Sequence, residues 1–288
     1  MKIIYIGSST NSLSLIPFQA LIKSKFQISA LAFDDDQSSD FNVTITRSIQ
    51  SLALNNKIPL IRLTKDYTNA LSQIRSFEPD IILVSCYARR IPLPILSIAN
   101  KGCFNIHPSL LPAFRGPNPL FWQFRDGIEK FGITLHRMTS EFDDGDIISQ
   151  KTIFIDDGCH SSEVTELLAD AASSLIFNMV TDIIDDTLTE SQQDNELSSY
   201  QSFPSKNDYI VNTMWTAKRM YNFINAYKGE GVSFLCDIKN KKFHLIDAYS
   251  YQVKPYSNMN NKTVFMEGDL ITFECANSYI QCKFKINE

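Results

Sequence analysis

The sequence predicts an α/β protein: a mostly parallel, Rossmann-like sheet flanked by helices, followed by a smaller domain of one helix and antiparallel strands. Three observations carry this expectation. Short apolar runs ending in glycine or polar residues alternate with stretches of helical periodicity over residues 1–185. Residues 186–204 are polar and end at Pro204. Beyond Pro204 one helical stretch gives way to short, closely spaced strand patterns.

Taken in order, Lys2–Gly7 is an apolar run suited to a buried parallel strand. Ser12 is expected to cap a helix through Lys23, with Leu13, Ile16, Ala20 and Leu21 on one face and Pro17 inside it. Gln27–Phe33 is a strand that leads into the acidic turn Asp34-Asp35-Asp36. Asn42–Asn55 reads as a helix, Pro59–Arg62 as a strand, and Tyr67–Phe77 as a helix with Ala70, Leu71 and Ile74 inward. Asp80–Ser85 and Gly102–His107 are strands, and strands alternating with helices imply right-handed crossovers. Gly132–Met138 and Asp146–Phe154 form a hairpin around residues 139–145. Ser161 or Ser162 caps a long helix to about Asp185. After Pro204 a helix over about Val211–Tyr227 precedes strands at Val232–Ile238, Lys242–Tyr251, Thr263–Met266, Leu270–Cys275 and Tyr279–Ile286. These are expected to form an OB-like domain or barrel. The division expected is a catalytic domain over 1–190, a linker over 191–204 and a β-rich domain over 205–288.

Composition narrows the function. With 44% hydrophobic residues in 288, the chain can bury a core, which excludes disorder. No apolar run reaches about 18 residues, so no spanning helix is expected. Residues 1–7 are too short for a signal peptide and break at Gly7. Six cysteines without a C-x-x-C pair read as free thiols of a cytoplasmic protein, and no metal site is expected. The net charge of -5 argues against general nucleic-acid binding. Special residues are concentrated: positions 102–160 hold six of the ten glycines and three of the four histidines, which marks that stretch as the candidate site.

Asn105 and His107 lie at the carboxyl end of a strand, on the same side by the strand period. Stiff turns follow, Pro108–Pro112 and Arg115–Pro119. The hairpin turns through Phe142-Asp143-Asp144-Gly145-Asp146. Asparagine, histidine and aspartate together suit acyl transfer to an amine. Attack on a carbonyl makes an oxyanion that needs pre-placed donors, and the amine must give up a proton to a base. On the residues alone, Asn105 could instead cap a turn, His107 could be a satisfied core histidine, and Asp143 could shape an Asx-turn. His136 reads as scaffold. Arg115 either anchors a phosphate or pins its own loop.

Asn105–Pro112, Arg115-Gly116, Gly132–His136 and Asp143-Asp144-Gly145 together resemble the N10-formyltetrahydrofolate-dependent formyltransferase family. Its members include glycinamide ribonucleotide transformylase, methionyl-tRNA formyltransferase and sugar-nucleotide N-formyltransferases. The resemblance implies three catalytic groups. Asn105 would hold the formyl oxygen, His107 would stabilise the oxyanion as an imidazolium, and Asp143 would orient His107 and help move the amine's proton. It implies N10-formyltetrahydrofolate as co-substrate, without a metal. The folate would lie between Cys86, Tyr87, Arg89, Arg90 and Ile91 on one side and Ser140, Phe142 and Asp144 on the other. Gly7, Ser8, Ser9, Arg115 and Gly116 would face the acceptor.

The acceptor expected is a small amine, an amino-sugar nucleotide. Residues 204–288 carry only net +3 and residues 1–203 net -8. The segment Phe33–Asp40 is acidic where tRNA-acting relatives carry a basic loop. Methionyl-tRNA formylation is the alternative enzyme, and a folate- or nucleotide-binding protein without catalysis is the alternative of another class. A homodimer is a further expectation; no membrane partner is.

Overall fold

The computed structural model describes residues 1–8, 11–34, 48–87, 89–253, 264–276 and 278–285. By their contacts they form two compact units that interleave along the chain. The first comprises Met1–Pro117, Gly132–Ile153 and Thr165–Tyr200; the second comprises Asn118–Phe131, Phe154–Val164 and Gln201–Glu288.

The first half of the chain runs β1 (Lys2–Gly7), α1 (Ser12–Ile22), β2 (Gln27–Asp34), α2 (Ile49–Asn55), β3 (Leu60–Leu63), α3 (Thr68–Ser76), β4 (Ile81–Ser85), α4 (Leu93–Leu96), β5 (Gly102–His107) and α5 (Pro119–Asp126). Next come β6 (Lys130–Arg137), β7 (Ile147–Phe154) and α6 (Ser161–Ile184). The seven strands form one sheet in the order β3-β2-β1-β4-β5-β6-β7. Neighbours from β3 to β5 are parallel. β6 enters antiparallel to β5, so the sheet is mixed at that edge. The strands of β1 and β4 are buried along their length, as their unbroken apolar runs require. The chain order reverses between β1 and β4, which opens a crevice at the carboxyl ends of the parallel strands.

Several local expectations shift. Asn11, rather than Ser12, caps α1, its side chain accepting from the Leu13 amide. A short amide side chain in extended backbone reaches that N–H as a serine would. The helix read over Asn42–Asn55 is seen from Ile49, capped by Ser48; residues 42–47 and the acidic turn beyond Asp34 lie outside the described residues. The long helix starts at Ser161, but His160 occupies the cap: its amide donates to Glu163 and its Nδ1 lies 2.8 Å from Ser162 Oγ. By length and composition α6 could cross a bilayer although no unbroken apolar run marks it. Half of that stretch is buried, with Leu168, Ala172, Leu175, Ile176, Met179 and Ile183 on an inward stripe of helical spacing.

The second unit adds β8 (Ile210–Val211), α7 (Ala217–Ala226), β9 (Phe234–Ile238), β10 (Lys241–Gln252), β11 (Val264–Glu267), β12 (Leu270–Cys275) and β13 (Ser278–Lys285). The predicted helix is shorter than Val211–Tyr227, because Thr216 caps it and a strand precedes it. The sheet order is β11-β12-β13-β10-β9-β8, antiparallel except at β8–β9. Among the described residues the order is linear, so the strands form an open sheet and not a closed barrel. Its interior is built on rings: Phe121 lies 5.0–5.5 Å from Trp122, Tyr209, Phe223 and Tyr227, and Phe223 lies 5.0 Å from Phe234.

Candidate active site

The antiparallel pairing of β5 and β6 builds the floor. Asn105 stands opposite His136, and His107 opposite Thr134. With a side-chain period of two, all four project from one face. His107, Thr134 and His136 are buried. Thr134 stabilises the following turn: its hydroxyl donates to Ser109 O at 2.6 Å and accepts from the Leu111 amide at 3.1 Å.

Asp143 comes over this floor from the β6–β7 loop, with φ 54°, a left-handed conformation that costs a non-glycine residue roughly 1 kcal/mol or more. Its Oδ1 accepts from Asn105 Nδ2 at 3.3 Å and lies 3.5 Å from both His107 Nδ1 and His136 Nε2. Its Oδ2 accepts from the Gly116 amide at 2.9 Å. Burial would raise its pKa. The two histidines and the Gly116 amide outweigh that and hold the carboxyl well below the usual range. The loop can be this tight because residue 145 is glycine: a Cβ there would lie 2.0 Å from the Arg137 carbonyl oxygen.

Ring tautomers follow from the partners. His136 Nδ1 lies 2.9 Å from Arg137 O, which can only accept, so Nδ1 carries the hydrogen. In the neutral ring Nε2 then accepts from Asn105 Nδ2, at 3.1 Å. His107 Nε2 lies 2.8 Å from Phe114 O and donates to it, which leaves Nδ1 as the basic nitrogen facing Asp143. Burial lowers the pKa of His107; Asp143 opposes that only in part. The Asn105 amide nitrogen is turned toward His136 and Asp143.

Beside this floor lies a cleft whose walls include Val84, Tyr87, Arg89, Arg90, Ile91, Met138, Ser140, Glu141 and Phe142, with Asn105, His136 and Asp143 also lining it. Six of the eight side chains read as folate contacts line it. The other two do not. Cys86 sits beneath, its thiol pushed up to about 11 by burial, and Asp144 is turned into a hydrogen bond from Thr139. Arg89 is held by Asp34 and the Leu63 carbonyl, both at 2.6 Å, and Arg90 pairs with Glu141 at 2.8 Å across the mouth.

Of the residues assigned to the acceptor, Gly7 is buried where a Cβ would meet Tyr5 and Ile49 at about 3 Å, so packing accounts for it. The Ser8 amide donates to Ser14 Oγ, and Ser9 lies outside the described residues. Gly116 serves Asp143. Arg115 pins its own loop: Nε and Nη2 donate to Gln193 Oε1 at 3.2 and 2.8 Å, and Nη2 also to Asn195 Oδ1 at 2.9 Å. Two members of the site were not expected. His136 was read as scaffold, yet it contacts both Asn105 and Asp143. Gln193 lies in the polar stretch read as a linker.

A mixed α/β sheet with a carboxylate, two histidines and an asparagine gathered at its carboxyl edge defines an enzyme equipped for acyl transfer to an amine. The chain belongs to the formyl transferase family, whose model matches residues 1–180, and it is a formyltransferase. It is 31% identical over 229 residues to the methionyl-tRNA formyltransferase of Syntrophomonas wolfei, covering 78% of this chain and 72% of that one. Its fold is similar to the N-formyltransferase of Helicobacter canadensis solved with folinic acid and dTDP-3-aminofucose (TM-score 0.75, 19% identity, 99% and 100% of the two chains). It is also similar to a sugar 3N-formyltransferase solved with dTDP and 5-N-formyl-THF (TM-score 0.72, 19% identity, 100% and 98%).

Proposed function

We propose that this chain transfers the formyl group of N10-formyltetrahydrofolate to the primary amine of a nucleotide-linked amino sugar. The observation that carries the reading is the cluster of Asn105, His107 and Asp143 around one carboxylate, with Asn105 and Asp143 also lining the Tyr87–Phe142 cleft. The cleft suits a folate: apolar and aromatic side chains from Val84, Ile91, Met138 and Phe142 would flank a flat ring, with Asn105 available beside its reacting end. When bound, the folate supplies an activated one-carbon acyl group.

The chain's own residues then manage charge and protons. The amine nitrogen bonds to the formyl carbon, the bond from that carbon to N10 breaks, and the amine's proton ends on N10. His107 Nδ1, which faces Asp143, is the group to take that proton in transit. The imidazolium so formed is held between the Phe114 carbonyl and the Asp143 carboxylate. Asn105 is fixed by His136 and Asp143, so its amide is oriented before substrate arrives and pays no reorganisation cost.

The acceptor is supported by likeness along nearly the whole chain to two N-formyltransferases, one named for a sugar and one bound to an amino-sugar nucleotide. The net -8 over residues 1–203 also disfavours an RNA backbone. Methionyl-tRNA is the second reading, favoured by the 31% identical relative. The test offers the full chain N10-formyltetrahydrofolate and a panel of amines, including dTDP-amino sugars and methionyl-tRNA, and reads each by mass spectrometry for one added formyl group. A formylated amino-sugar nucleotide is the expected result. Formylation of methionyl-tRNA alone overturns the acceptor, and binding without transfer to any amine overturns the enzyme.

A further inference from the structure

The segment after α6 carries one side chain unlike its neighbours. Gln193 is only 5% exposed, although Ser191, Gln192 and Asp194 around it are exposed. Its hydrogen-bonding capacity is fully used. Nε2 donates to the Asp143 carbonyl at 2.8 Å and to the Gly145 carbonyl at 2.7 Å. Oε1 accepts twice from Arg115. The same segment is fastened on both sides of Gln193. Ser191 exchanges backbone hydrogen bonds with Ile147 at 2.8 and 2.9 Å. Ser199 O accepts from the Arg115 amide at 2.8 Å, and Ser199 Oγ accepts from the Phe114 amide at 2.8 Å. The loops so joined each hold part of the site: 139–145 carries Asp143, and 112–116 supplies the Phe114 carbonyl to His107 and the Gly116 amide to Asp143.

We propose that Gln193 is a positioning residue that sets the place of the Asp143 carboxylate, with Arg115 as its anchor. Asp143 sits in a left-handed backbone and needs outside support to stay there. Two donors from a buried amide onto the carbonyls on either side of Asp144 supply it. Gln193 itself can adopt one orientation only, because the guanidinium beneath it has no acceptor and must face Oε1. A displacement of about 1 Å in a reacting group costs on the order of 100-fold in rate, so a residue that touches no substrate can govern turnover.

The kinetic arm of the test rests on the formyl-transfer reading; a spectroscopic arm does not. Gln193→Met keeps the length and removes both donors and the acceptor. Gln193→Glu keeps acceptors for Arg115 but turns oxygens toward the two carbonyls. Arg115→Met removes the anchor, together with its hydrogen bond to Asn195, and leaves Gln193 in place. Kinetically, both Gln193 variants are expected to lose roughly 10- to 100-fold in kcat with KM for both substrates within about threefold. Arg115→Met is expected to lose less kcat with acceptor KM unchanged. Spectroscopically, the His107 imidazole is titrated by NMR in the full chain. The charged and titratable groups facing it are Asp143 and His136. Asp143 raises its pKa, so loosening Asp143 in Gln193→Met should lower the His107 midpoint while circular dichroism and the melting curve show a folded protein. An unchanged midpoint and an unchanged kcat in both Gln193 variants overturn the proposal. So does a raised acceptor KM in Arg115→Met at unchanged kcat, which returns Arg115 to substrate binding. If wild type formylates no amine, the functional reading fails and the NMR midpoint alone decides this one.

Discussion

In the first unit most of the buried polar side chains gather around the carboxyl ends of β1, β4 and β5: Ser14, Ser85, His107, Ser109, Thr134, His136 and Gln193, each hydrogen-bonded, with Ser29 of β2 apart from them. In the second unit the buried polar side chains are fewer and scattered (Gln123, Asn225, Thr272 and Ser278), and a cluster of rings, Phe121, Phe223, Tyr227 and Phe234, packs edge to face or tilted in the interior. The difference separates two uses of a core. A network of satisfied polar groups fixes geometry but adds little net stability per bond, about 1 kcal/mol. Buried rings fix less direction but remove much more apolar surface from water. The first unit is built to hold atoms in place, and the second to hold together.

Substitutions should therefore behave differently in the two. The largest effect is expected at the site floor. Asn105→Ala, His107→Ala and Asp143→Ala should each reduce kcat by about a thousandfold or more, some 4 kcal/mol of transition-state stabilisation. Melting temperature should move little beside that. If His107→Ala kept nearly full transfer, the role of the floor as chemistry would be lost. Phe223→Ala should show the opposite pattern. Phe223 is fully buried among five rings, so its loss should cost about 3–5 kcal/mol in denaturant unfolding. Turnover of the remaining folded protein should stay within about threefold. A kcat loss matching that of His107→Ala in the folded fraction would show that the ring core also serves the chemistry, and would break the comparison.

The same division explains what could be read in advance. Asn105, His107 and Asp143 were legible because the runs around them resemble a known family; the strand period by itself only put Asn105 and His107 on one face at a strand end and left their roles open. The alternating parallel strands were legible because fully buried strands are written as unbroken apolar runs. What escaped depends on distant pairing. His136 joins the site only because β6 pairs antiparallel to β5, and register is not written in either strand alone. Gln193 contacts a loop 50 residues earlier from a polar stretch without periodicity, which looks like a linker to any local reading. Asn11 displaced Ser12 as a cap because both side chains do the same job one residue apart.

The pH dependence of stability sharpens the comparison at a smaller scale. Asp143 has a lowered folded pKa, so its contribution is present above the unfolded carboxylate value near 4 and is lost as pH falls through that range. His107 is also lowered. Below about 6.5 the unfolded chain takes up that proton first, so stability falls with pH there as well. Wild type should lose unfolding free energy between pH 7 and 5, and His107→Gln should flatten that slope. An unchanged slope in His107→Gln would mean that burial does not lower the His107 pKa.

The smallest effect is expected at the cleft mouth. Arg90 and Glu141 are more than half exposed, and their 2.8 Å pair joins the 87–91 rim to the 139–143 rim. An exposed pair contributes roughly 0–1 kcal/mol and weakens with salt, so neither Arg90→Leu nor Glu141→Gln should change the melting temperature appreciably. Arg90 also lies 5.4 Å from the centre of the Phe142 ring, a contact that Glu141→Gln leaves intact and Arg90→Leu removes. If the cleft receives the folate, Arg90→Leu should raise KM for the formyl donor by about two- to fivefold, Glu141→Gln by less, and both should leave kcat and acceptor KM unchanged. A change in acceptor KM instead would assign the cleft to the amine. The donor would then have to reach Asn105 from the other side, and the mouth would belong to recognition of the sugar nucleotide.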